Sequence, residues 1–206
     1  MIEIFFYDIH RAFLKMKQVY YKMVNYFLAQ IHFVMIGKNC QFYGITLWNK
    51  LPQSEIIIGD KCIFNSSHSS NRIGVYTPCM FSTLTANGKI EIGNNCGFSG
   101  TVVASALRIK LGNNVRCGAN TLITDSDWHW DDYRAGENAP VIIDDNVWLG
   151  YGVKILKGVH IGKNSLIGAG SIVTKDIPAN VIAAGIPCRI IRTMDENNCL
   201  GKADGY

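Results

Sequence analysis

"IDDNVW LGYGVK ILKGVH IGKNSL IGAGSI VTKDIP", residues 143 to 178, is a run of consecutive six-residue blocks. Each block opens on an aliphatic residue: Ile143, Leu149, Ile155, Ile161, Ile167 or Val173. The fifth place holds Val147, Val153, Val159, Ser165, Ser171 or Ile177. A period of six is neither that of a helix nor the alternation of a plain strand. It describes a short strand plus a turn, repeated, so the chain coils. The first and fifth places are predicted to point inward, while Gly, Asn and Asp permit the turns between strands. Three blocks make one triangular coil, and no block can bury its face alone.

The same phase runs through IGKNCQ (36–41), IGDKCI (58–63), IGNNCGFSGTVV (92–103) and LGNNVRCGANTL (111–122), so the coil is expected to begin near residue 36. Cys40, Cys62 and Cys96 occupy the fifth place and Cys117 a first place, which reads as small buried hydrophobes. The seven cysteines (with Cys79, Cys188 and Cys199) show no C-x-x-C spacing, so no zinc or disulfide framework is expected and a reducing compartment is. The period breaks at 64–72, at 104–110 and, at greatest length, at 124–140 (TDSDWHWDDYRAGENAP). Insertions in a solenoid can only leave as outward loops, and such loops often line the working face.

The net charge of +4 is mild, and no basic, aromatic-studded motif is present, which excludes nucleic acid as a partner. Residues 1–35 read as an amphipathic helix. Phe6, Ile9, Phe13, Met16, Tyr20, Met23 and Phe27 form one apolar seam, and Asp8, Arg11, Lys15, Gln18, Lys22 and Asn25 form an opposed, mostly basic stripe. The seam is expected either to pack on the main domain or a neighbouring subunit, or to lie in the plane of a membrane surface. Interrupting cations argue against a spanning helix, and no signal peptide is read, so the expected location is cytoplasmic, with peripheral contact at the membrane's inner face open.

The segment VWLGYGVKILKGVHIGKNSLIGAGSIVTKDIPANVIAAGIPCRIIR, 147–192, resembles the C-terminal coils of hexapeptide-repeat acyltransferases. The resemblance is to the branch of maltose, galactoside and nodulation acetyltransferases, xenobiotic acetyltransferases and capsular or colanic-acid O-acetyltransferases. It implies an all-β solenoid, a left-handed parallel β-helix over 36–192, with the 193–206 segment as a tail. It also implies a homotrimer holding acetyl-CoA at subunit interfaces and acetylating a sugar or polysaccharide precursor.

Acetyl transfer to a hydroxyl needs a base for the hydroxyl proton and a donor for the oxyanion. A neutral imidazole suits the first task. His10 and His32 lie in the helical segment, His68 among serines and His160 at a sixth place of the coil, whereas His129 lies where the resembled enzymes carry their base. Those relatives commonly have His-Pro before an acid and an arginine. This chain has Trp130 for Pro and then Asp131, Asp132, Tyr133 and Arg134. Asp125 or Asp127 is expected to orient the imidazole, with both choices open. Trp128, Trp130 and Tyr133 either stack on a sugar or anchor the loop, and Arg134 belongs with the acceptor side.

By the same resemblance, CoA meets Trp148, Gly150 and Tyr151 near the thioester, Ala169 along the pantetheine, then Thr174 and Lys175, with Arg189 and Arg192 toward the phosphates. Ser99 stands where relatives often carry an acceptor-binding asparagine. No metal is expected, because the γ-class carbonic anhydrases that share this coil need a close histidine pair that is missing here. A non-catalytic solenoid and an amino-sugar N-acetyltransferase remain the rival readings.

Overall fold

The computed structural model describes residues 2–194. Residues 195–206, with Cys199 and most of the expected tail, lie outside the described residues, as do the side chains of Phe6, Asp8, Ile9 and His10. A helix, Ile2–Ile31, precedes the coil, whose first strand is Met35–Ile36.

Three parallel sheets form the faces of a prism. The first face carries Met35–Ile36, Glu55–Ile58, Lys89–Ile92, Arg108–Leu111, Val141–Ile143 and His160–Ile161. The second carries Gln41–Tyr43, Ile63–Asn65, Gly97–Ser99, Arg116–Cys117, Trp148–Leu149 and Leu166–Ile167, then Val181–Gly185 and Cys188–Thr193. The third carries Leu47–Asn49, Met80–Thr83, Val102–Ser105, Leu122–Thr124, Lys154–Ile155 and Ile172–Val173. Each circuit of the chain visits the faces in that order, so backbone hydrogen bonds run along the axis. Among the described residues only Cys188–Thr193 pairs antiparallel, folding back on Val181–Gly185.

All first and fifth places of 143–178 are buried, including the hydroxyls of Ser165 and Ser171. Phe42, Phe64 and Phe98 stack down the interior with centroids 4.9 and 5.3 Å apart. Cys40, Cys62, Cys79, Cys96, Cys117 and Cys188 are buried free thiols. At the corner between the first and second faces, the side chains of Asn95, Asn114, Asn146, Asn164 and Asn180 hydrogen-bond in a ladder at 2.8 to 3.0 Å. Their backbones are left-handed, φ 57° to 61°, a conformation asparagine tolerates better than other side chains with a Cβ.

The breaks in the period resolve unequally. The first is a true insertion, leaving the second face after Asn65 and rejoining the third at Met80. The expected break at 104–110 is no loop: Val102–Ser105 and Arg108–Leu111 are separated by a tight corner. Buried Asp125, one coil below, caps it by accepting the N–H groups of Ala106, Leu107 and Arg108 at 2.6 to 2.9 Å. His160, at its sixth place, points outward from a strand, with Nε2 3.0 Å from Asp144.

The helix meets the coil through Gln18 and Asn25 of its polar stripe, not through its apolar seam, while Arg11, Lys15 and Lys22 of that stripe stay exposed. Asn25 is fully buried, donating to the Gly44 carbonyl at 3.0 Å and accepting the Thr46 N–H at 2.8 Å. Gln18 donates to the Tyr43 hydroxyl at 3.1 Å, Ala29 is buried, and the Tyr26 ring stands edge-on to Phe42 at 5.9 Å. Phe42 belongs to the first coil, with no coil before it, and is nevertheless fully buried because the helix covers that open end.

Candidate active site

The long loop leaves the third face after Thr124 and returns to the first at Val141, so it stands at the corner joining those faces. Its ends are pinned. The Ala139 N–H bonds to the Asp125 carbonyl, and the Gly158 N–H of the following coil bonds to the Ala139 carbonyl. The Asp127 carboxylate accepts Lys157 Nζ at 2.6 Å and the Gly136 N–H at 3.1 Å, and the lysine bond holds its carboxyl below the ordinary range.

His129 is exposed near the loop's outer end, and among the described residues its ring makes no hydrogen bond. Neither aspartate orients it within this chain. Asp125 is committed to Ser105, Ala106, Leu107 and Arg108, and Asp127 to Lys157 and Gly136. Ser126 ties the aromatic pair back: its Oγ accepts the Trp128 N–H at 3.1 Å and Trp130 Nε1 at 3.2 Å. Trp130 therefore anchors the loop while leaving its ring in solvent, and Trp128 makes the turn with φ of 75°. Arg134 is paired with Asp132, whose carboxyl is lowered by that bond, and Tyr133 is almost fully exposed.

The residues assigned to the cofactor divide between two corners. Gly150 and Tyr151, and one coil on Ala169, line the corner between the second and third faces. A Cβ on Gly150 would lie 2.7 Å from the Ala169 nitrogen, so the two coils touch there through backbone. Beside them Gly152 and Gly170 have φ of 66° and 71°, and a Cβ on either would meet nothing within 4 Å. The corner thus presents bare backbone over two coils. Among the described residues the Tyr151 and Ala169 N–H groups have no acceptor. A thin amide-bearing chain such as pantetheine fits that cradle. Arg189 pairs across the final hairpin with Ala184, which packs on Gly168, so it extends the same row, and exposed Arg192 follows on the same strand. Trp148 projects from the second face, about half exposed. Thr174 and Lys175 lie instead at the corner of the long loop.

Ser99 does not offer an open hydroxyl. It is buried and accepts Asn65 Nδ2 at 3.0 Å and Asn71 Nδ2 at 3.1 Å. Asn65 ends its strand on the second face, and Asn71 lies in the first insertion, which descends the bare corner. The Tyr76 N–H bonds to Asn120 Oδ1 at 2.9 Å, and the neighbouring Tyr151 phenol pushes that of Tyr76 upward. Asn65, Asn71, Tyr76 and Lys157 escape sequence reasoning. Asn65 and Asn71 fall in the break at 64–72, and Lys157 sits one coil beyond the point where the long loop departs, whereas Tyr76 leaves no signal.

Residues 140–175 match the family model described as bacterial transferase hexapeptide (six repeats). A galactoside O-acetyltransferase of Escherichia coli K12 is 39% identical over 155 residues, covering 66% of this chain and 76% of that protein. A galactoside O-acetyltransferase of Lactococcus lactis is 50% identical over 95 residues, covering 44% of this chain and 45% of that protein. The chain belongs to the hexapeptide-repeat acetyltransferases. Their left-handed parallel β-helix is also the fold of AntD, an N-acyltransferase from Bacillus cereus crystallised with dTDP and 3-hydroxybutyryl-CoA. That structure has a TM-score of 0.62 and 18% identity, covering 82% of this hexapeptide-repeat acetyltransferase and 88% of the other chain. Among the described residues of this family member, no group of three or more His, Cys, Asp or Glu is placed to hold a metal ion.

Proposed function

We propose that this protein is an acetyl-CoA-dependent O-acetyltransferase acting on a hydroxyl of a sugar or polysaccharide precursor, as a homotrimer with its sites between chains. The O-acetyl reading rests on the galactoside O-acetyltransferase relatives. The observation that carries the interfacial site is the separation of parts. His129 stands at one corner of the prism, and the bare backbone of Gly150, Tyr151 and Ala169 stands at another. A neighbouring chain that sets its long loop against this chain's bare corner supplies what each lacks alone.

In that arrangement His129 takes the proton of the acceptor hydroxyl as the oxygen attacks the thioester carbonyl. Backbone N–H groups at the bare corner are the donors available for the charge that builds on the carbonyl oxygen. The C–S bond then breaks, and His129 returns its proton to the departing thiolate. Asp127 and Lys157 act by fixing the base of the loop. Asn65 and the first insertion, with Asn71 and Tyr76, border the acceptor. Arg189 and Arg192 beside the bare corner, with Lys175 brought by the neighbouring chain along with its long loop, serve the CoA phosphates. Buried free thiols favour a reducing, cytoplasmic setting.

The test measures acceptor-dependent CoA release over a panel of sugars, together with native mass. His129→Ala is expected to lose on the order of 10² to 10⁴ in rate with an unchanged melting temperature. Full activity in that variant, or a fully active monomer of 22.9 kDa, refutes the reading.

A further inference from the structure

The helix face turned away from the coils has no partner among the described residues. Phe13, Met16, Tyr20, Met23 and Phe27 are 47% to 68% exposed, and Val19 and Ile31 on the same side are more than half exposed. A contiguous apolar face of this size on a water-soluble domain marks an interaction surface. The helix cannot roll to hide it, because Asn25 and Gln18 are hydrogen-bonded into the first coil from the opposite side. The seam therefore points away from the stack, at the end of the prism.

Charge decides what covers it. Between Asp8 and Glu55 the sequence holds no carboxylate side chain, while Arg11, Lys15, Lys17 and Lys22 all lie on the helix. At about 100° per residue, Lys17 falls roughly 90° to one side of the seam's centre, and Lys15 and Lys22 fall roughly 110° to 130° to the other. Lys17 Nζ lies 4.6 Å from the centroid of the Phe13 ring, its stem along the apolar surface. Two copies joined through this seam would bring lysine rows together with no acid between them. An anionic bilayer supplies the missing charge.

We infer that the N-terminal helix seats in the plane of an anionic lipid surface, the seam in the acyl boundary and the flanking cations at the level of the phosphates. No described helix is long and apolar enough to cross the bilayer, so the contact is peripheral. The long loop departs after the fourth coil, so it stands roughly 15 to 20 Å along the axis from the helix-covered end at about 4.8 Å per coil. Catalysis then takes place close above the lipid headgroups.

Flotation of the full chain with phosphatidylcholine vesicles, with and without about one third phosphatidylglycerol, tests this. The protein is expected to float with the anionic vesicles and to stay behind with the neutral ones. Met16→Glu combined with Met23→Glu is expected to abolish flotation without changing the melting temperature, since both side chains are already in solvent. Lys15→Gln and Lys22→Gln are each expected to weaken binding about fivefold. Failure of the intact chain to float with either vesicle overturns the inference, as does undiminished flotation of the double glutamate variant. If that variant instead lowers the native mass while the intact chain ignores vesicles, the seam is a contact between copies and the inference falls.

Discussion

Asp127 reaches from the base of the long loop to Lys157 on the following coil, carboxylate oxygen and ammonium nitrogen 2.6 Å apart. Both side chains are partly in solvent, so the pair contributes under about 1 kcal/mol to global stability. Its value is local. Lys157→Ala is expected to leave the melting temperature within a few degrees of the parent and to cut acetyl transfer several-fold, whereas Lys157→Arg restores most of the rate. The lysine lowers the Asp127 carboxyl, so the anchor is fully formed above the ordinary aspartate range of about pH 4 and is lost as pH falls through the lowered value. The ratio of the two rates should stay constant above about pH 4. A ratio that drifts near neutrality would show that the pair does more than hold the loop.

Asp125 invites the opposite result. Its carboxylate is fully buried and accepts four hydrogen bonds, three of them from consecutive backbone N–H groups. Asp125→Ala strands those donors and is expected to cost about 3 kcal/mol or more in chemical denaturation. The rate per folded molecule should be nearly unchanged. A stable Asp125→Ala protein with a collapsed rate and a displaced pH profile would restore the aspartate to a place behind His129.

Burial raises the thiols of Cys79 and Cys117, and Cys62, lowered by the Cys40 thiol but raised by the Cys96 thiol and by burial, is pushed up to about 12. A Cys199→Ser protein should therefore show no reactive thiol toward an aromatic disulfide reagent at neutral pH until it is unfolded, when six titrate together. Rapid labelling of the native protein would mean that the coils open locally.

In the asparagine ladder, Asn146 combines a φ of 61° with side-chain bonds to Asn114 and Asn164. Asn146→Gly loses only the bonds, while Asn146→Ala also carries a backbone penalty of about 1 kcal/mol or more. Denaturation midpoints should fall in the order parent, glycine, alanine. An alanine variant as stable as the glycine variant would show that the corner relaxes.

The hexad phase made the coil legible because each inward position depends on its own block: Ile155 or Ser165 is buried wherever its coil lies. Asp125 was not legible, since its partners are residues 106 to 108 of the coil above, brought near by stacking. The stretch 104–110 looked like a loop for the same reason, its tightness resting on that distant carboxylate. The helix was legible only in part. Its two stripes were plain, but Gln18 and Asn25 match backbone and side-chain groups of the first coil, and that match outweighed the usual burial of an apolar seam. His129 was placed by resemblance, and its isolation from both aspartates appears only when every hydrogen bond around them is traced.

The antiparallel return of Cys188–Thr193 along Val181–Gly185 bears on how molecules meet end to end. A parallel coil offers its last strand as a template for the next, and identical chains added to such an end would grow into a fibre. Among the described residues the outer edge of the second face runs backward and bears Arg189 and Arg192, while the helix lies over the opposite opening. On that face an added chain meets no parallel template, which removes one of the edges along which stacked coils would join.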